Sequence, residues 1–154
     1  MKKIVLLLIV VVAGASAYGY RSWIGSRAYV AYEGFAEAWA KEDRTAAEKF
    51  AAGADVVRHA FDDRALRGTQ GGAAMEAFRG TNYAVESRAK EADGAERLVV
   101  VQTIRFDPPG RTTGVGGAMW AKFRDEATVK KTADGWRVVA FEPKYLEMGE
   151  VRKR

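Results

Sequence analysis

The chain has 154 residues, 48% of them hydrophobic and 29% charged, a balance that is typical of one globular domain and argues against disorder. It has no cysteine, which excludes disulfides, and its single histidine leaves too few ligands for a zinc or haem site. The net charge is +5, of which Lys2 and Lys3 supply two charges, so nucleic acid is not expected as a partner.

Residues 1–25 are predicted to direct the rest of the chain out of the cytoplasm. Lys2 and Lys3 precede residues 4–20, which carry no charge. One interpretation is a secretory signal that is cleaved after Ala17, because small residues occupy the positions that a signal peptidase requires. Cleavage would release a secreted or periplasmic domain.

The other interpretation is an uncleaved membrane anchor. As a helix, residues 4–20 would span about 26 Å, slightly less than the ~30 Å hydrocarbon core of a bilayer. Tyr18, Tyr20 and Trp23 follow, where interfacial aromatic residues would lie. Both interpretations place the protein in the cell envelope with its domain exported, whereas a third, a buried core helix, does not.

Two helices are predicted next. Apolar residues recur at helical spacing from Ser26 to about Lys41, which predicts a long helix with one broad apolar face. Thr45 and Glu48 have the spacing of a capping box, and a second helix is predicted from Thr45 to Gly53.

The rest of the chain is predicted to be mainly β. Residues 55–61 alternate and predict a short strand, and residues 71–80 predict a short helix closed by Gly80. Residues 107–117 form a loop in this prediction, because Pro108 and Pro109 prevent a strand from continuing. Four strands with tight turns at 92–94 and 134–135 complete the chain, over residues 83–90, 98–106, 118–131 and 136–142.

This order predicts an α+β fold for residues 26–148. We expect a cone-shaped domain in which a curved antiparallel sheet wraps on the long N-terminal helix, preceded by the transmembrane or signal helix. Residues 149–154 are predicted to be a solvated basic tail.

Three segments resemble the nuclear-transport-factor-two-like superfamily, which includes ketosteroid-isomerase-like and SnoaL-like domains. They are FAEAWAKEDRTAAEKF (35–50), LRGTQGGAAMEAF (66–78) and KKTADGWRVVAFE (130–142). The resemblance implies the cone fold and a homodimer formed through the sheet. Isomerase-like enzymes pair a carboxylate base with a tyrosine or an acid, but no such pair can be matched here, so no catalytic residue is carried over.

Strand alternation places three polar residues among hydrophobic ones on the face toward the helix: Ser87, Gln102 and Asp125. Together with Trp39 and Phe123 they are the predicted ligand-binding residues. Burial would raise the pKa of Asp125 and suit it to proton transfer. Two alternatives stay open: a β-bulge could turn Asp125 to solvent, or an inward arginine could pair with it.

His59 is the second candidate for acid–base chemistry. In the predicted strand 55–61 it shares a face with Val57 and Phe61. The alternative is a hydrogen-bonded structural histidine.

Three functions are compatible with these patterns. The first is a non-enzymatic, envelope-tethered domain that binds a small apolar ligand or a protein partner. The second is an isomerase or cyclase that uses Asp125 and His59. The third is a bitopic scaffold whose outer sheet face packs on a partner through Trp120, Lys122, Arg124 and Lys130.

The third function rests on a resemblance in layout to exported scaffolds of type IV secretion systems, which usually carry a longer cytoplasmic segment. No cofactor is expected, because GVGGAM (114–119) lacks the lysine of a phosphate-binding loop and the third glycine of a dinucleotide fingerprint.

The leader generates the first testable prediction. When cells express the chain with a C-terminal tag, we expect the tag in the membrane fraction or the periplasm, because residues 4–20 engage the export machinery. Fractionation followed by N-terminal sequencing measures both location and cleavage. An N-terminal sequence that begins at Tyr18 would identify a cleaved signal, and one that retains residues 1–17 would identify the anchor. A tag found in the cytosol would contradict export.

Overall fold

The computed structural model describes residues 27–62, 77–107 and 118–151. The helices in these ranges are α1 (Arg27–Ala40), α2 (Arg44–Glu48) and α3 (Ala54–Asp62). The strands are β1 (Ala77–Lys90), β2 (Glu96–Asp107), β3 (Met119–Thr132) and β4 (Gly135–Glu150). The strands form one antiparallel sheet in the order β1-β2-β3-β4. The predicted α+β class, a curved antiparallel sheet with an N-terminal helix, is confirmed.

Several predictions concern residues outside these ranges. They are the leader, the helix over residues 71–76, the loop over 108–117 and the last residues of the basic tail. Within the described ranges, no helix has the length and apolar character needed to cross a membrane.

Within the sheet, helix α1 packs chiefly against β3 and β4, and it carries several of the core aromatic rings. Phe35 contacts Phe141 with ring centroids 5.0 Å apart, and Trp39 meets Phe123 edge-on at 5.1 Å. The Trp39 indole N–H donates to the Ala60 carbonyl at 2.9 Å, which ties α1 to α3. The predicted apolar face of this helix is therefore the face that the sheet buries.

The turn between α1 and α2 differs from the predicted capping box. Glu42 takes a left-handed conformation with φ 59°, and the Asp43 N–H closes α1 by donating to the Ala38 carbonyl at 2.9 Å. The N-cap of α2 is Asp43, whose carboxylate accepts from the Ala46 N–H at 2.9 Å. The predicted N-cap Thr45 is wrong, because the helix already begins at Arg44 and Asp43 caps it.

Helix α2 also ends earlier than the predicted Gly53. Phe50 and Ala52 leave the helix to bond with the edge of β4 at Val138, through N···O distances of 2.8 and 2.9 Å. A β-carbon on Gly34 would lie only 2.4 Å from the Phe50 ring, so this glycine lets the ring pack directly on α1.

The predicted strand over residues 55–61 is wrong, because this segment forms α3. Its buried residues are Val57, Ala60 and Phe61, at the spacing of one helical face. In a segment this short, the apolar residues fit both the two-residue period of a strand and the 3.6-residue period of a helix. Packing against β4 stabilises the helix.

The predicted helix over residues 71–80 is wrong from residue 77 onward, since Ala77 already belongs to β1. Gly80 follows a bulge in β1 rather than ending a helix. The two predicted hairpin turns are confirmed, and Gly94 and Gly135 take the positive φ values of 82° and 105° that these turns need.

A second bulge in β1, between Val85 and Ser87, reverses the faces of the strand beyond it. Ser87 is therefore exposed, and its predicted place on the face toward α1 is wrong. Arg88 turns inward instead, where it pairs with Glu96 at 2.6 Å.

The core generates the second prediction. Trp39→Ala should lower the free energy of unfolding by about 3–5 kcal/mol, because the ring is only 2% exposed and its removal leaves a cavity. Chemical denaturation measures this change. Val30→Ala is the matched control on the same helix, since Val30 is 52% exposed and should change stability by no more than ~0.5 kcal/mol. Equal losses in the two variants would contradict the packing of α1.

Candidate ligand site on the inner face of the sheet

The inner face is the sheet surface toward α1, and the register of the strands places polar side chains from β1, β2 and β3 next to one another. Tyr83 on β1 lies directly opposite Gln102 on β2, and Gln102 lies opposite Phe123 on β3. Asp125 comes two residues after Phe123, so it occupies the diagonal position next to Gln102. We call Tyr32, Tyr83, Gln102 and Asp125 the inner-face cluster.

Tyr32 contributes the helical side of this cluster. Its hydroxyl donates to Oδ2 of Asp125 at 2.7 Å, and both side chains have 0% exposure. The Tyr32 ring also meets the Tyr83 ring edge-on, with centroids 5.9 Å apart. The predicted bulge that would turn Asp125 to solvent is thus excluded, and the partner of Asp125 among the described residues is a tyrosine rather than an arginine.

Gln102 joins the middle of the sheet to α1. Its Nε2 donates to the main-chain carbonyl of Ala36 at 3.2 Å, one helical turn after Tyr32. The amide orientation is fixed by this bond, because only the NH₂ group can donate to a carbonyl. Oε1 is therefore left as an acceptor.

The inner-face cluster has more hydrogen-bonding capacity than the described residues use. Oδ1 of Asp125 and Oε1 of Gln102 are buried without a hydrogen-bond partner among those residues. Each buried polar atom left without a partner costs about 1–3 kcal/mol. Unused polar atoms beside apolar side chains are a feature of ligand sites.

Burial dominates the electrostatics of the site. It raises the pKa of Asp125 to about 7, and the hydrogen bond from Tyr32 lowers that pKa by less. Burial, and then the charge of Asp125, hold the pKa of Tyr32 well above its usual value, so this hydroxyl remains a donor. Burial likewise raises the pKa of Tyr83.

The other predicted site residues fall into two groups. Trp39 and Phe123 are buried and form an apolar wall beside the cluster. His59 is exposed on α3, where it borders a surface groove with Val56 and Glu142. It does not share a face with Val57 and Phe61, because the segment is a helix, and it does not join Asp125 in the cluster.

Sequence reasoning missed the roles of Tyr32 and Tyr83. The sequence pattern assigns both residues to apolar positions: Tyr32 to the apolar face of the predicted first helix, and Tyr83 to the apolar face of the predicted strand. The available signal was the residue type, because a buried tyrosine usually brings its hydroxyl to a partner. Two tyrosines at core positions therefore marked where polar partners would be found.

The sequence matches no protein-family model, no curated protein and no solved structure. Function must therefore be inferred from the inner-face cluster itself.

The buried carboxyl generates the third prediction. Because the pKa of Asp125 is raised to about 7, the folded state holds its proton over a pH range in which the unfolded chain has released it. The stabilisation by this group is complete below the unfolded pKa of about 3.9 and is lost as pH rises toward 7. Asp125→Asn keeps an acceptor for Tyr32 and removes the titration.

We expect the stability of Asp125→Asn relative to wild type to increase from pH 4 to pH 7, by up to about 1.4 kcal/mol per pH unit, and then to level off. Melting midpoints of both proteins across pH 4–8 measure this difference. Glu48→Gln, on the exposed surface of α2, is the control and should give a small, constant difference. A flat difference for Asp125→Asn would contradict the desolvated state of the carboxyl.

Proposed function

We propose that this chain is an envelope-attached, non-enzymatic domain that binds a small, mainly apolar molecule on the inner face of its sheet. The observation that carries the proposal is the set of unused buried oxygens in the inner-face cluster. A ligand group that donates hydrogen bonds to them would relieve their desolvation cost, while Trp39, Phe123 and the neighbouring aliphatic residues would contact its apolar part.

The envelope location and the finer fold belong to the same proposal. The uncharged residues 4–20 support attachment to, or export across, a membrane. The helical N-terminal part followed by a four-stranded antiparallel sheet supports a cone-shaped domain of the nuclear-transport-factor-two-like type. In such a domain the concave face of the sheet would be the binding surface.

A scaffold function has less support, because the charges of the outer sheet face are already paired with one another. Lys122 bonds to Glu147 at 2.7 Å, and Lys130 bonds to Asp93 at 2.9 Å. Arg124 bonds to two glutamates, at 2.8 and 2.7 Å. A protein partner or a second copy docking there would have to replace or bridge these pairs.

A proton-transfer enzyme is the second candidate, and the pKa of Asp125 near 7 favours it, because that value suits a general base at neutral pH. Tyr83 would then be the hydrogen-bond donor to a substrate oxygen. However, the Tyr32 hydroxyl is committed to Asp125 itself. Turnover that disappears in Asp125→Asn while ligand binding persists would favour the enzyme over the binding domain.

The proposed function generates the fourth prediction. Small amphiphiles of six to ten heavy atoms should perturb the side-chain NH₂ resonance of Gln102 in a heteronuclear NMR titration, because that amide borders the unused oxygens. Gln102→Leu should reduce the affinity by about tenfold through loss of one hydrogen bond, which is worth about 0.5–1.5 kcal/mol. Thr128→Val, on the outer face of β3, is the control and should leave the affinity unchanged. Perturbations that map only to the outer face would contradict an inner-face site.

A further inference from the structure

The carboxylate at the centre of the inner-face cluster has no positive charge facing it among the described residues. Val100 on β2 and Pro143 on β4 lie opposite Asp125, and the titratable groups that face it are Tyr32 from α1 and Tyr83 from β1. Its single hydrogen bond uses Oδ2, so Oδ1 is buried and unused. A carboxylate in such a place is a strong acceptor for a ligand cation.

The flank of α1 beside Tyr83 adds negative charge. Burial raises the pKa of the Tyr83 phenol most, a hydrogen bond with Thr81 lowers it, and the charges of Glu37 and Glu33 raise it further. Glu37 pairs with Lys41 at the exposed end of the helix, and such a surface pair is weak. Glu33 is half-buried, and it has no ion-pair partner among the described residues.

Aromatic rings complete the surroundings of Asp125. The rings of Tyr29 and Tyr83 each lie 5.9 Å from the ring of Tyr32, centroid to centroid. Tyrosine faces attract organic cations, most strongly where water is excluded. The unused oxygens beside them, Oε1 of Gln102 and Oδ1 of Asp125, are acceptors that match N–H donors.

We propose that the inner-face cluster binds an apolar amine in its ammonium form, with the N–H groups directed to Oδ1 of Asp125 and Oε1 of Gln102. This inference rests on the proposed function, because it names the ligand class of the same site. Glu33 and Glu37 attract the cation toward the β1 side of α1, and the tyrosine rings contact the carbon atoms next to the nitrogen. An alkyl carboxylate, by contrast, would be repelled by Asp125, which has no cation facing it among the described residues.

The test compares three probes of equal chain length with the full-length protein at pH 7.5: hexylammonium, hexanol and hexanoate. The readout is the Gln102 side-chain resonance together with calorimetric affinity. We expect hexylammonium to bind at least tenfold more tightly than hexanol, and hexanoate to bind most weakly. In Asp125→Asn the preference for ammonium over hexanol should disappear while hexanol still binds.

Two further variants allow the proposal to be tested even if Asp125→Asn does not fold. Glu33→Gln, on the flank of α1, should weaken ammonium binding several-fold without changing hexanol binding, even if Asp125→Asn fails to fold. Glu48→Gln removes the same charge from the exposed surface of α2 and should change neither affinity.

The pH dependence gives an independent readout. An alkylammonium resembles the lysine side chain, with a pKa of about 10.4, and stays charged from pH 5 to pH 8. Its affinity for wild type should rise over that range as Asp125 ionises, and it should be flat for Asp125→Asn.

The outcomes separate this inference from the proposed function. If hexanol binds as tightly as hexylammonium, or if the ammonium preference survives in both Asp125→Asn and Glu33→Gln, the amine inference is overturned while a ligand site on the inner face stands. If none of the three probes perturbs Gln102, the proposed function fails, and the amine inference fails with it.

Discussion

The hydrogen bond between Tyr32 and Asp125 is the interaction on which the arrangement of helix and sheet depends. It connects residues 93 positions apart in the sequence, one on α1 and one on β3, where neither side chain reaches solvent. Because a buried carboxyl without a partner is costly, this bond disfavours any rotation of α1 that would separate the two groups. It also fixes the register of β3, since a slip by one residue would turn Asp125 to the outer face.

The aromatic packing around that bond lies mainly on the side of β3 and β4. Phe141, Phe123 and Trp39 hold α1 against β3 and β4, and Tyr83 on β1 is half-buried. The described inner face thus places the buried polar groups of Gln102 and Asp125 directly beside aromatic rings. The proposed ligand, with one charged end and one hydrocarbon end, would offer both kinds of contact.

Much of this fold could be predicted from the sequence, because long periodic segments carry a clear signal. The face of α1, the alternation of β2 and β3, and the two glycine turns all followed from local pattern. Helix α3 could not be predicted in this way, because residues 55–61 fit the period of a strand as well as that of a helix. Only their burial against β4 selects the helix. Ser87 was misplaced because the bulge in β1 inserts one residue that no local pattern marks. The pairing of Tyr32 with Asp125 depends on how α1 lies across the sheet, which alternation within single strands does not determine.

The identity of residue 125 itself argues for a use beyond stability. An asparagine there would still accept the Tyr32 hydrogen bond and would avoid the cost of desolvating a charge. With aspartate, burial moves the pKa to about 7, where the protonated and ionised forms are both populated at neutral pH. A fold that needed only a hydrogen-bond acceptor at this position would gain nothing from such a group. An aspartate at this position therefore supports the proposal that a ligand meets the charge or the proton of this carboxyl on the inner face of the sheet.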